Sequence, residues 1–213
     1  MIDGTIFFYV HPSATFRMSK DEALAFAARS GIGHLTTSVD GRIESVVVPF
    51  FIDDQRASPT IYGHLSVSNP QVVSIEEGHE ALLIVDGPIA YVSPSHYPTK
   101  TETGRVVPTL NYLSVQIRGR LTPIRSTEDF RNLLAALTSR FEIEREEPWS
   151  LDDAPSDFIH TQMKAICGFM MRVDAVTGVA KHSQNRPESD HAAVRRSFSR
   201  GTESERQIAE WMD

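Results

Sequence analysis

The sequence predicts a mainly β fold with appended helices, an α+β arrangement built on a closed or partly closed antiparallel β-barrel. Three observations predict the barrel. Leu113, Val115, Ile117 and Leu121 face one way while Ser114, Gln116, Arg118 and Arg120 face the other, the period-two alternation of a half-buried strand. Asp40-Gly41 is a two-residue hairpin signal between candidate strands at 32–39 and 43–52. Strands and helices do not alternate regularly, which excludes a doubly wound parallel sheet and favours a closed or partly closed antiparallel one.

Further strands are read at 60–65 and 81–93, and a last one carries Phe169, Met171, Val173 and Ala175 on a single face. The apolar run at 1–10 has no basic flank and reads as a lead-in strand, not a signal peptide. Ser19-Lys-Asp-Glu22 is a capping box that opens a helix stopped by Gly31. Ser126-Thr-Glu-Asp129 opens a second, with Phe130, Leu134, Leu137 and Phe141 as its stripe. A third follows Pro155, with Ile159, Met163 and Ile166 on one face and Gly168 at its end. Thr202-Glu-Ser-Glu205 opens a terminal helix, and the polar stretches 94–103 and 144–155 read as loops. The expected organisation is a barrel domain over 1–185, with a helical insertion at 126–167, and a helical tail over 186–213.

At 213 residues and 40% hydrophobic content the chain can bury a real core. Its single cysteine, Cys167, excludes an intramolecular disulfide and suits the cytoplasm; the residue reads as a small core side chain. No run of 18 apolar residues exists, so no membrane-spanning segment is expected. A net charge of −7 argues against a nucleic-acid surface spread over the whole chain, leaving only a local patch such as Arg195, Arg196 and Arg200. There is no phosphate loop, no complete dinucleotide fingerprint, no paired-histidine metal spacing and no nucleophile elbow.

Four polar segments lie next to strand ends: 63–69, 91–97, 107–112 and 181–187. Turn chemistry accounts for the first three as well as ligand contact does. The fourth, Lys181-His-Ser-Gln-Asn-Arg186, packs two cations and three amide or hydroxyl groups into six residues, with no helix cap evident for them. Such a set can meet a dianionic phosphate and a flavin edge.

The chain resembles the PaiB-type family of FMN-binding negative transcriptional regulators. The residues that carry the resemblance are Tyr9-Val10 with Pro12, Pro49-Phe50, Gly63-His64, Asn69-Pro70-Gln71, Ala90 to Ser93, Tyr97, Val107-Pro108-Thr109, Asn111-Tyr112, Gly168-Phe169 and Ser183 to Arg186. The resemblance implies a split β-barrel of the pyridoxamine-phosphate-oxidase type, working as a homodimer with flavin sites at the subunit interface. It implies FMN as cofactor, held by His64, Asn69, Asn111, Lys181, Ser183, Gln184, Asn185 and Arg186, and Arg42 and Ser45 are added as phosphate contacts. The chain departs from the family pattern at Val72, His96 and Leu110, where Trp is usual, and at His182, where Leu is usual. Two roles follow: a flavin-holding regulator, or an FMN-dependent oxidoreductase with Tyr97, His96 and His64 as candidate acid–base groups. A flavin sensor without turnover is a third reading that fits the same features.

Overall fold

The computed structural model describes residues 13–54 and 58–212. The expected lead-in strand at 1–10, with Tyr9, Val10 and Pro12, lies outside them.

Six antiparallel strands form a closed barrel: β1 (Ile32–Val39), β2 (Arg42–Asp53), β3 (Thr60–Ser66), β4 (Glu80–Val92), β5 (Thr109–Pro123) and β6 (Ile166–Lys181), in the order β1-β2-β3-β6-β5-β4. The Asp40-Gly41 hairpin sets the register of the first pair, Val39 opposite Arg42 and Ile32 opposite Pro49. Both turn residues take positive φ, 50° and 77°, as a tight hairpin requires. Among the described residues seven α-helices accompany the strands: α1 (Lys20–Ser30), α2 (Val72–Glu76), α3 (Thr99–Thr103), α4 (Thr127–Glu142), α5 (Ser156–Met163), α6 (Glu188–Phe198) and α7 (Glu203–Glu210).

The chain divides into two compact units. One, the barrel unit, holds Leu24–Val85 and Gln116–Val176. Leu35, Phe50, Ile61, Leu83, Ile117, Phe169 and Met171 are fully buried there. The α4 and α5 helices bury Phe130, Leu133, Leu137, Ile159 and Met163 in a second cluster, with Phe51 and Tyr62 half-buried against it. Those two rings stack in parallel with centroids 5.0 Å apart. The other, the terminal unit, holds the described residues 13–23, Asp86–Val115 and 177–212, with Leu113, Val115, Val179, Val194 and Phe198 buried.

The Ser19–Glu22, Ser126 and Thr202–Glu205 caps form as expected. Elsewhere tertiary packing redraws the helices. The buried stripe of α4 is Phe130, Leu133 and Leu137, while Leu134 is half-buried and Phe141 is exposed. The helix after Pro155 ends at Met163, and Ile166 instead enters β6 opposite Ser66. Gly168 is therefore a strand residue, and a Cβ on it would stand 2.7 Å from the Phe130 ring. Its role is to let α4 approach the sheet, not to end a helix. Ala175 is exposed, and β6 continues six residues further, to Lys181. The stretch 94–103 contains a 3₁₀ turn and α3.

Candidate functional site

Lys181 ends β6 and Thr109 starts β5. The Lys181 ammonium donates to the Thr109 hydroxyl at 2.5 Å and lies 5.7 Å from the centre of the Phe16 ring. Past it the backbone turns sharply through Ser183, which takes the left-handed φ of +66°. That conformation costs a non-glycine residue about 1–2 kcal/mol, so the surroundings must hold it. Asn111 does so from β5: its fully buried amide donates to the Ser183 hydroxyl at 2.9 Å, and that hydroxyl donates to the amide oxygen at 3.2 Å. Gln184 completes the turn. Its side-chain oxygen accepts from the His182 N–H at 2.9 Å, and its amide nitrogen donates to the carbonyls of Ala180 at 2.6 Å and Thr15 at 3.3 Å.

Three of the expected ligand residues thus use their polar groups on one another and on the backbone. Asn111, Ser183 and Gln184 shape the loop. Lys181, Asn185 and Arg186 are the groups it presents. Asn185 is exposed, and the Arg186 guanidinium lies over the Tyr97 ring at 4.7 Å. Among the described residues no carboxylate forms an ion pair with Lys181 or Arg186. Burial, and then the neighbouring Arg186 charge, push the Lys181 ammonium below its usual pKa. An anion bound here would favour the charged form of Lys181, because it opposes the two positive charges that now repel each other.

A helix does follow at once, contrary to the expectation that none could be capped here: α6 begins at Glu188 after Pro187. No side chain of 181–186 caps it. Its buried Asp190 instead accepts from the Thr99 N–H at 3.2 Å and from the Thr99 hydroxyl at 2.7 Å, pinning α3. Tyr97 is buried with its hydroxyl unpartnered, and burial raises its pKa more than Arg186 lowers it. His182 stands edge-on to His191, with centroids 6.5 Å apart; burial, and then His191, lower its pKa.

The other four expected residues fall in the barrel unit. His64 sits half-buried on β3 opposite Gly168, with Nδ1 unpartnered and its pKa lowered by burial. Asn69 accepts from the Gln71 N–H at 2.8 Å, the turn reading of that segment. Gln71, which sequence reasoning passed over, is buried and donates to Leu35 O, Thr37 Oγ1 and Glu44 O at 2.9–3.3 Å, clamping α2 to β1 and β2. Ser45 shares a 3.0 Å hydrogen bond with Thr36, and Arg42 is exposed at the hairpin.

The closed six-stranded antiparallel barrel with appended helices is the antiparallel split-barrel fold. Within that class the chain belongs to the family described as "Putative FMN-binding domain", whose pattern matches residues 9–175, and this is the PaiB-type family. The matched span includes Arg42, Ser45, His64, Asn69 and Asn111; the loop at 181–186 lies beyond it. The Protease synthase and sporulation protein PAI 2 of Bacillus subtilis is 27% identical over 174 residues, covering 82% of this chain and 81% of that protein. Among solved structures, the FAD and heme binding protein of Mycobacterium smegmatis superposes with a TM-score of 0.58 at 17% identity, over 82% of this chain and 78% of that one. The flavocytochrome Anf3 of Azotobacter vinelandii gives 0.56 at 14% identity, over 83% and 75%.

Proposed function

We propose that this chain is a flavin-binding protein selective for FMN, a cytoplasmic homodimer that acts as a negative regulator of transcription. The observation that carries the flavin reading is the pair Lys181 and Arg186, two cations that form no ion pair with a carboxylate among the described residues, on a loop shaped in advance by Asn111, Ser183 and Gln184. The terminal phosphate of FMN supplies the dianion such a pair fits, and guanidinium and ammonium groups bind it through charge-assisted hydrogen bonds. Membership of an FMN-binding family supports the choice of ligand. The dimer reading is supported by Ile89, Tyr91, Val107 and Leu110, large apolar side chains left exposed on the terminal unit. Among the described residues no helix is long and apolar enough to cross a membrane.

When bound, flavin supplies hydride or electron transfer; the residues named here bind and orient it. Titration of the purified protein with FMN, followed by flavin fluorescence, tests the site. Lys181→Ala and Arg186→Ala each weaken binding by about 1.5–3 kcal/mol, roughly ten- to hundredfold. Unchanged affinity in both variants places the phosphate elsewhere. Sedimentation that finds only monomer at working concentration refutes the dimer.

A further inference from the structure

Between α4 and the outer face of the barrel lies a cavity of about 550 Å³. One wall is a row of side chains on three neighbouring strands: Phe51 on β2 stands opposite Tyr62 on β3, and Tyr62 opposite Met170 on β6. Strand alternation turns this row outward, since Phe50, Ile61, Phe169 and Met171 beside it are fully buried in the barrel. Ile124 and Leu133 add further apolar surface. The rim is polar and exposed: Arg125 just past β5, and Asp129 and Asn132 on one face of α4. All these groups belong to the barrel unit, and none is shared with the loop at 181–186.

The volume falls within the roughly 300–1,000 Å³ of small-molecule pockets, and apolar walls with a few polar groups are their usual lining. The rim decides the charge of the occupant. Arg125 is already engaged by Glu76 at 2.6 Å. The Asp129 N–H is taken by the Ser126 cap, but among the described residues the Asp129 carboxylate and the Asn132 amide make no hydrogen bond or ion pair. The positive end of the α4 dipole, about half a charge, is outnumbered by the carboxylates of Glu128 and Asp129 in the first turn. We propose that this cavity binds an organic ammonium ion with an aromatic body, at a site separate from the proposed flavin loop. The ammonium donates to the Asp129 carboxylate and the Asn132 amide oxygen, and the ring lies against Phe51, Tyr62 and Met170. Aromatic rings gain from one another beyond the area they bury, and the Met170 thioether adapts to a ring edge. The chain's net charge of −7 favours the approach of a cation.

The probe is tryptamine, an indole carrying a primary ammonium, with neutral tryptophol and anionic indole-3-propionate as comparators. Each is titrated into the full chain by calorimetry at about pH 7, where the amine is charged. Tryptamine is expected to bind with a dissociation constant of about 1 mM or tighter, a reasonable affinity for so small a ligand. Tryptophol binds about tenfold more weakly and indole-3-propionate more weakly still. Asp129→Asn removes the advantage of tryptamine over tryptophol and leaves tryptophol unchanged. Because Asp129 lies in the first turn of α4, a melting curve checks each variant, and the exposed Asn132→Lys supplies a second one. It weakens tryptamine and strengthens indole-3-propionate. No tryptamine binding at about 10 mM overturns the proposal, as does indole-3-propionate binding as tightly as tryptamine. So does a folded Asp129→Asn protein that still prefers tryptamine to tryptophol. Displacement of tryptamine by saturating FMN assigns the cavity to the flavin and also overturns it. A protein that binds tryptamine through Asp129 yet takes up no FMN refutes the flavin reading and leaves this one standing.

Discussion

Asn111 is where a ligand role and a shaping role make different predictions. If it shapes the loop, Asn111→Ala should destabilise the protein with no flavin present. The substitution removes two neutral hydrogen bonds to Ser183, worth about 1 kcal/mol each net. It also strands the Ser183 hydroxyl, which is only 2% exposed, at a further cost of about 1 kcal/mol or more. The sum, about 3 kcal/mol, corresponds to a melting temperature about 6–12 °C lower for a chain of this size. Ser183→Gly is the companion variant. It forfeits the same hydrogen bonds and strands the fully buried Asn111 amide, about 3 kcal/mol in all, but relieves a φ of +66° that costs about 1–2 kcal/mol, so its net cost is about 1–2 kcal/mol. In the double variant the two changes couple: it should melt near the Asn111→Ala value or above it, well short of the additive sum. Thermal melts of the four flavin-free proteins decide the matter. An Asn111→Ala melt within about 2 °C of wild type, or a strictly additive double variant, refutes the shaping role.

Two more outcomes follow from the packing and the titrating groups. Gly63→Ala would place a Cβ 2.7 Å from the Phe169 ring and 2.9 Å from the Pro49 carbonyl oxygen, so it should cost about 1–3 kcal/mol in a urea melt; wild-type stability would contradict the close approach. His64 and His182 both have pKa values lowered by burial, so the unfolded chain binds more protons than the folded one below the ordinary histidine value of about 6.5. Stability is therefore full above that pH and falls on acidification until the lower folded pKa values are passed. Replacing both with His64→Gln and His182→Leu should flatten the decline between about pH 7 and 5, and an unchanged profile would show that other groups carry it.

The barrel was legible because its signals are local. Alternation at 113–121 and the Asp40-Gly41 turn depend on neighbours in sequence, and both appear in the structure. The errors occur where distant packing decides. Gly168 resembles a helix stop until Phe130, thirty-eight positions away, is seen against it. Val72 to Glu76 forms a helix too short to show a period. Gln71 looks like one more polar residue in a turn, and only the three acceptors that meet it from β1 and β2 reveal a buried clamp.

The site divides in the same way. The cluster at 181–186 was legible as unusual chemistry, but the partner that satisfies Ser183 sits 72 residues earlier in the chain, so ligating and shaping residues look alike in sequence. Net charge misleads for a related reason. At physiological salt the field of an exposed charge is screened within about 8 Å, so a total of −7 spread over the surface says little about one loop. What matters is whether a given cation has a carboxylate within reach. For Lys181 and Arg186 none forms an ion pair among the described residues, and burial, then the Arg186 charge, disfavour the charged form of Lys181. The overall negative charge should then slow the approach of an anionic ligand, while the local cations set how long it stays. Raising salt should speed association of FMN and also speed its release, and a site held together by other contacts would show neither trend.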